Sequence, residues 1–405
     1  MEGAMGRLLD TFTSTGSKFF AHQEVMNNLR NGKGQCITTH VMLTDICQHT
    51  CAFCSVQARA GDSLPFDDVM AYLDTLLRFG LKAVILSGGG NPILYRCKVT
   101  GKNFNDVVDA IHSRGLQIGL ITNGMPLRKY ETRPSYHTTP ACWTMRESWG
   151  TVRPETLDKL TWVRISMAGL DHEENEVYVP DIDPAKTTLG FSYCAHTIFD
   201  EPADPHHGKV STTGDLITLD RSKLRTWTFE ERMPELTKQI RHYVETYKPK
   251  YVRMLPDCLA PELIAERSEK LRLMAVKINE GIGEIAFVQS KPPKAPNVCL
   301  IGALHPVLNC DGYCYPCDAV VLSAAEVGYR KGTPNHRFDS PWRICHWSKI
   351  GDLYENKLPH SLIHEPGEIC KGCVFTPQNL ILEGVRDGTI DPVPPEIVPQ
   401  HVNFV

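Results

Sequence analysis

Six short runs rich in β-branched and apolar residues recur along the first two thirds of the chain: Ile37 to Leu43, Ala83 to Ser87, Ile118 to Thr122, Val163 to Met167, Thr188 to Tyr193 and Tyr251 to Leu255. Helical periodicity fills several of the intervals. Phe66, Val69, Met70, Leu73, Leu76 and Leu77 lie at helical spacing after the first run, and Met233, Leu236, Ile240, Tyr243 and Val244 do the same before the sixth. Strands that alternate with helices need crossover connections, which place successive strands parallel in one sheet. The pattern therefore predicts repeated βα units around a parallel sheet, with a further amphipathic helix from about Pro261 to Glu280.

At 405 residues the chain exceeds what one hydrophobic core usually serves. A boundary is expected near Pro292 to Pro296, since seven of the fifteen cysteines follow Val298, among Gly and Pro punctuation and only short strand candidates. The expected units are an N-terminal extension (1–35), a core (36–290) and a cysteine-rich α+β extension (291–405). No run of about 18 apolar residues is present, and Met1 to Ser17 lacks the pattern of a signal peptide. The expectation is a soluble cytoplasmic protein with no membrane partner, in the host cytoplasm if the source is viral. Fifteen cysteines in such a chain argue for metal or redox chemistry rather than disulfides.

The segment that narrows the chemistry is Cys47-Gln-His-Thr-Cys51-Ala-Phe-Cys54, directly after the first strand. Three thiolates within one short loop can wrap a cubane and leave one iron without a protein ligand. A zinc reading is poor, because only His49 is near enough to complete a tetrahedral set. With Phe53 before the last cysteine, this spacing resembles the radical S-adenosylmethionine (SAM) superfamily. The resemblance covers about residues 36–290. It implies a partial (βα)6 TIM-type barrel, a [4Fe-4S] cluster on Cys47, Cys51 and Cys54, and SAM bound at that cluster. Ser87-Gly88-Gly89-Gly90-Asn91-Pro92, after the second strand, looks like the family's glycine-rich SAM-contacting motif, with Asn91 in place of the usual acidic residue. Consecutive glycines let backbone approach a ligand closely. Phe53, Gly88, Gly89, Gly90, Asn91 and Ser166 are the implied cofactor-binding residues. Ser166 also has a plain reading, as a hydroxyl bonded to its own backbone.

Reacting groups in such barrels gather at the C-terminal ends of the strands. The fifth strand ends in Tyr193, Cys194 and His196, and the sixth in Pro256, Asp257 and Cys258. Cys194 and Cys258 are candidate hydrogen-atom donors and Asp257 a candidate proton acceptor. The plainer reading of each thiol is a small packed hydrophobe.

In the C-terminal part, Cys299 is followed by Gly312, Cys317, Cys370 and Cys373 in a Cys-x12-Gly-x4-Cys…Cys-x2-Cys arrangement. Asp311-Gly312 supplies a hairpin turn that would bring Cys299 and Cys317 together. The arrangement resembles the SPASM and twitch extensions of radical SAM enzymes, and the resemblance implies one auxiliary [4Fe-4S] cluster on Cys299, Cys317, Cys370 and Cys373. Two clusters in all are expected. Cys310 or Cys314 is an alternative ligand, since Cys310, Cys314 and Cys317 repeat the triad spacing, and Cys345 is a weaker candidate. A structural zinc on the same thiols is the competing reading.

Two segments concentrate positive charge in an otherwise acidic chain. Arg128, Lys129, Arg133, Arg146 and Arg153 lie among Tyr130, Tyr136, Trp143 and Trp149; Arg330, Lys331, Arg337, Arg343 and Lys349 lie among Tyr329, Phe338, Trp342 and Trp347. Cations interleaved with rings suit a ligand that carries phosphates and stacks bases; ordinary solvated loops have the same composition. Arg128, Lys129 and Arg133 are the candidate substrate contacts. The expected activity is isomerisation or oxidation of a modified nucleotide or nucleic-acid base, and Ser87 to Pro92 with Tyr251 to Cys258 faintly resembles radical SAM enzymes of viral DNA-base hypermodification. Maturation of a ribosomally made peptide or oxidation or epimerisation of a small metabolite is the alternative that the C-terminal resemblance favours. A non-catalytic iron-sulfur protein is the alternative of another class. The resemblance also implies an electron donor such as flavodoxin or ferredoxin.

Overall fold

The computed structural model of the chain describes residues 8, 11–13, 18–47, 49, 51, 53, 54, 61–124, 152–171, 176–196, 198, 199, 226, 227, 229–257, 263–289, 296–318, 343–356 and 373–405. Helix α1 (Gln23–Arg30) precedes strand β1 (Thr38–Val41). Then follow α2 (Phe66–Leu77), β2 (Ala83–Leu86), α3 (Phe104–His112), β3 (Gln117–Thr122), a short helix (Pro154–Leu157), β4 (Trp162–Ser166), β5 (Thr188–Ala195), α4 (Phe229–Tyr247), β6 (Tyr251–Pro256), α5 (Ile264–Asn279) and β7 (Ala286–Val288). The C-terminal part adds β8 (Val307–Leu308), β9 (Tyr313–Tyr315), β10 (Cys345–His346), α6 (Ile350–Asn356) and α7 (Thr376–Arg386).

All strands listed belong to one sheet in the order β10-β9-β8-β1-β2-β3-β4-β5-β6-β7. From β8 through β1 to β7 every pairing is parallel, and only β8-β9 and β9-β10 are antiparallel. The six expected strands are all present, with ends moved by at most a few residues, and they form a mostly parallel α/β sheet. Strand β7 is only three residues long, too short to stand out as a period-two pattern. The β8-β9 hairpin turns at Asp311-Gly312, where Gly312 has φ +81° and the Tyr313 N–H donates to the Asp311 carboxylate. Through β8 it extends the sheet on the β1 edge, so the C-terminal part shares hydrogen bonds with the barrel.

Each strand sends alternate residues to two environments, as its period of two requires. Val41, Val84, Leu86, Ile118, Leu120, Val163, Ile165, Phe191, Val252 and Met254 pack outward, in one core with the buried stripes of α2, α3, α4 and α5. Helix α3 starts where it does because Asn103 and Asp106 form a reciprocal capping box. The other face lines the barrel lumen. There Ala83, Ile85 and Trp162 pack with Phe404, and the C-terminal tail is held by hydrogen bonds from Val405 N–H to Thr38 Oγ1 (3.0 Å) and from Asn403 to Gln117 (3.1 Å).

Two glycines make this filling possible. A Cβ on Gly119 would stand 2.1 Å from the Trp162 ring, and one on Gly190 would stand 2.1 Å from the Tyr251 ring. Small residues on β3 and β5 thus face large ones on β4 and β6 across the lumen wall, the usual way to fill a narrow barrel. Gly190→Val should destabilise the fold by roughly 1–3 kcal/mol through overpacking, measured by urea unfolding. Combining it with Tyr251→Ala should cost less than the sum of the two single changes, because the methyls then have somewhere to go.

Candidate functional site

The first strand runs into a loop that is pinned at its base. Thr44 pairs with Ser63 as an isolated bridge, its hydroxyl donates to the Asp62 carbonyl (2.7 Å), and buried Asp45 accepts from the Asp62 N–H (2.7 Å). Between these pins lie Cys47, Cys51 and Cys54, each half-buried, with the Cys54 N–H donating to the Cys51 carbonyl (2.9 Å) in a tight turn.

The glycine run after β2 forms the floor of this loop. The Gly90 N–H donates to the Thr44 carbonyl (2.8 Å) and the Asn91 N–H to the Ile46 carbonyl (2.7 Å). A Cβ on Gly90 would stand 2.0 Å from the Ile46 oxygen, and one on Gly89 2.9 Å from the Thr44 oxygen. Gly88 and Gly89 also take φ values of +77° and +68°, which favour glycine. No side chain fits at Gly90 while the cysteine loop lies where it does.

The side chain of Asn91 is buried and joins three elements. It accepts from the Thr122 hydroxyl (2.9 Å) and the Ile93 N–H (3.2 Å), and its amide donates to Asn123 Oδ1 (2.7 Å). Asn123 in turn reaches the cysteine loop, with Nδ2 at 3.3 Å from His49 Nδ1 and 3.8 Å from Cys47 Sγ. An acidic residue at position 91 would lack the amide that completes this chain.

Phe53 packs its ring on His196 with centroids 4.6 Å apart. His196 Nδ1 donates to the Cys194 carbonyl (2.8 Å), and Nε2 lies 3.7 Å from Asp171 Oδ2. Asp171 is 3% exposed, accepts from Arg232 Nη1 (2.7 Å) and lies 3.4 Å from the Tyr193 hydroxyl. Burial pushes the Asp171 carboxyl up to about 7, against the pull of the Arg232 guanidinium. Asp171 and Arg232 escape a reading of the sequence because only folding brings the end of β4 to the start of α4. Tyr193 belongs to the outward-packed core.

Ser166 is half-buried at the end of β4, in register with Ser192 on β5. By alternation Cys194 shares the lumen side with Ser192, and it is half-buried; Asp257 is buried, its N–H donating to the Ala195 carbonyl (3.0 Å). Arg128, Lys129, Arg133, Cys258 and Cys370 lie outside the described residues, as do all the named aromatic residues of the two basic segments except Trp347. In the C-terminal part Cys299, Cys317 and Cys373 pack against one hydrophobic cluster, with the Phe375 N–H donating to Cys373 Sγ (3.3 Å). Cys310 and Cys314 are buried in the main barrel core instead, Cys314 opposite Cys345 across β9 and β10. Among the described residues no three His, Cys, Asp or Glu side chains already converge as a metal site. Cys47, Cys51 and Cys54 supply three soft thiols in one loop, the ligand type that iron-sulfur clusters take.

Arg164 and Arg253 also went unread in the sequence. Both face the lumen from the middle of strands, in Trp-Val-Arg-Ile-Ser and Tyr-Val-Arg-Met-Leu, and a cation at an inward position of a buried strand is the signal that exposes them.

Residues 41–133 match the model of the Radical SAM superfamily. Among curated proteins none matches the chain. Similar solved structures include Streptococcus suis SuiB bound to S-adenosylmethionine, with TM-score 0.44 and 11% identity over 83% of this chain and 70% of that one. BtrN in complex with AdoMet and 2-DOIA has TM-score 0.32 and 12% identity over 91% and 98% of the two chains. Native anSMEcpe with bound AdoMet and Cp18Cys peptide has TM-score 0.45 and 13% identity over 87% and 96%. No helix among the described residues is long and apolar enough to cross a membrane.

The Asp171 carboxyl yields a pH prediction. Its folded value of about 7 exceeds the unfolded value of about 4, so between these limits the folded state binds more protons and stability falls as pH rises. Asp171→Asn should flatten that decline between about pH 4 and 7, measured by urea unfolding at several pH values. An unchanged slope would contradict the assignment.

Proposed function

We propose that the chain is a radical SAM enzyme whose cysteine loop, seated on the glycine run at the mouth of a parallel barrel, holds the catalytic iron-sulfur centre. The observation that carries this reading is the backbone contact of Gly90 and Asn91 with Thr44 and Ile46, which fixes the base of the Cys47, Cys51 and Cys54 loop against the strand ends. The chemistry supplied when a [4Fe-4S] cluster and SAM are bound there is reductive cleavage of the sulfonium to a 5′-deoxyadenosyl radical, which takes a hydrogen atom from the substrate.

The chain's own part is binding and orientation. Phe53, Gly88, Gly89, Gly90, Asn91 and Ser166, in the loops after the first two strands and at the end of β4, are the proposed SAM contacts. Asn91 is already committed to Thr122, Ile93 and Asn123, so its role toward SAM is to hold the glycine run and the Asn123 amide in place. Cys194 and Asp257, from β5 and the residue after β6, approach the same mouth and are the candidate hydrogen-atom donor and proton acceptor, with Cys258 beside them in sequence.

For the substrate, the basic aromatic segments favour a modified nucleotide or nucleic-acid base that is isomerised or oxidised, with Arg128, Lys129 and Arg133 on its phosphates. A second reading, maturation of a peptide or oxidation or epimerisation of a small metabolite, draws on the packing of Cys299, Cys317 and Cys373 against one hydrophobic cluster, these with Cys370 being the proposed ligands of an auxiliary [4Fe-4S] centre. Flavodoxin or ferredoxin is the proposed electron donor.

Anaerobically reconstituted protein should bind about eight irons, and the Cys47→Ala, Cys51→Ala, Cys54→Ala triple variant about four, by ligand count. Equal iron in both proteins would exclude the two-cluster assignment. Binding of a nucleic-acid ligand should weaken steeply with salt, and replacing Arg128, Lys129 and Arg133 by Ala should flatten that dependence, because each neutralised phosphate releases counterions. Salt-insensitive binding would favour the peptide or metabolite reading.

A further inference from the structure

The cysteine loop has a second attachment, on the β5 side. Phe53, between the second and third cysteines, meets His196, the residue after β5, with ring centroids 4.6 Å apart and planes inclined by 55°. Strands β2, β3 and β4 stand between β1 and β5 in the sheet, so this contact joins the loop of one strand to the end of another far from it in the order. The glycine run acts at the root of the loop, through Thr44 and Ile46. His196 acts inside the triad.

The His196 ring is buried and fixed in direction at both nitrogens. Nδ1 donates to the Cys194 carbonyl (2.8 Å), which turns Nε2 toward Asp171 Oδ2 at 3.7 Å. A nitrogen lone pair facing a carboxylate oxygen would repel, so one proton lies between these two atoms and ties them together. Asp171 closes a short helical turn, Met167–Asp171, and is itself clamped. Its Oδ1 accepts from Arg232 Nη1 (2.7 Å) and lies 3.4 Å from the Tyr193 hydroxyl, while Nη2 of the same guanidinium donates to the Leu170 carbonyl (3.0 Å). Oδ2 has no hydrogen bond among the described residues and faces only His196.

A buried ion pair contributes little net stability, because desolvation offsets its attraction. The use of Asp171 and Arg232 is therefore directional. They set the plane of an imidazole whose nitrogens are both turned to the protein, and what that imidazole offers the cysteine loop is its ring. Such a ring suits placement rather than proton transfer. Histidine serves here better than phenylalanine would, since hydrogen bonds at two edges stop the ring from rotating.

We infer that His196 is a positioning residue for SAM: held by Asp171 and the Cys194 carbonyl, it fixes the ring of Phe53 and the turn from Cys51 to Cys54, and so sets how tightly the cofactor is bound. This rests on the reading of the cysteine loop as the SAM site and adds the residues that hold that loop from the β5 side. The three thiols do not depend on His196, so iron should bind without it. An aromatic neighbour fixed in advance lowers the ordering cost of binding.

The test is equilibrium dialysis of SAM against anaerobically reconstituted full-length protein without reductant, with iron content and circular dichroism measured on each sample. His196→Ala should keep wild-type iron and bind SAM about tenfold or more weakly. Phe53→Ala should lose a similar factor, and the double variant should bind within about threefold of Phe53→Ala, because His196 acts through Phe53. Asp171→Asn should stay within about threefold of wild type, since its amide can donate to Nε2 and its carbonyl accept from Arg232. Unchanged SAM affinity in His196→Ala, loss of iron together with SAM, multiplied losses in the double variant, or an Asp171→Asn loss as large as that of His196→Ala would each overturn the assignment. Should His196→Ala fail to fold, His196→Leu, which refills the volume without a ring nitrogen, takes its place with the same expectations. A wild-type protein that binds iron but not SAM would overturn the radical SAM reading itself, and this inference with it.

Discussion

The contact between the glycine run after β2 and the loop after β1 governs the rest of the site. At Gly90 the two backbones lie so close that a single carbon would meet the Ile46 carbonyl at 2.0 Å. That proximity lets two N–H groups reach across to Thr44 and Ile46, converting a long cysteine-bearing loop into one fixed at its root. From there Asn91 relays the constraint to Thr122 and Asn123 on β3, and Asn123 returns it to Cys47 and His49. Three consecutive strand ends are thereby tied into one rigid rim. Pre-organised loops of this kind lower the ordering cost of whatever they bind.

Beneath the rim the lumen changes character by layers. Its lower part is filled by Trp162, Tyr251 and Phe404, accommodated by Gly119 and Gly190. Its middle layer holds arginines and histidines around a cavity. On the outer side of the rim the Asp171, His196 and Arg232 cluster supports Phe53, which places a buried charge network directly behind the cysteine loop.

The parallel βα repeat was legible because strands that alternate with helices need crossovers, and the apolar runs Val163 to Met167 and Tyr251 to Leu255 stand out between helical stripes. The cysteine loop and its glycine floor were legible as neighbours in the βα order, since both follow adjacent strands. What escaped was whatever depends on distance in space. Asp171 and Arg232 are 61 residues apart in the sequence, and neither stands in a motif. Asn91 departs from an acidic consensus and gains its meaning only through Asn123. The β8 strand is two residues long and pairs with β1 from more than two hundred residues away, so no local pattern announces that the C-terminal part extends the barrel sheet.

The central claim is that the glycine run seats the cysteine loop and with it the iron-sulfur centre. It is tested most directly by electron paramagnetic resonance of reduced, reconstituted Gly90→Val protein, with and without SAM, beside the wild type. The account predicts that the wild-type spectrum contains a cluster signal that changes on adding SAM. It predicts that the variant, folded by circular dichroism, loses that SAM-sensitive signal. A folded variant whose signal responds to SAM as the wild type does would contradict it.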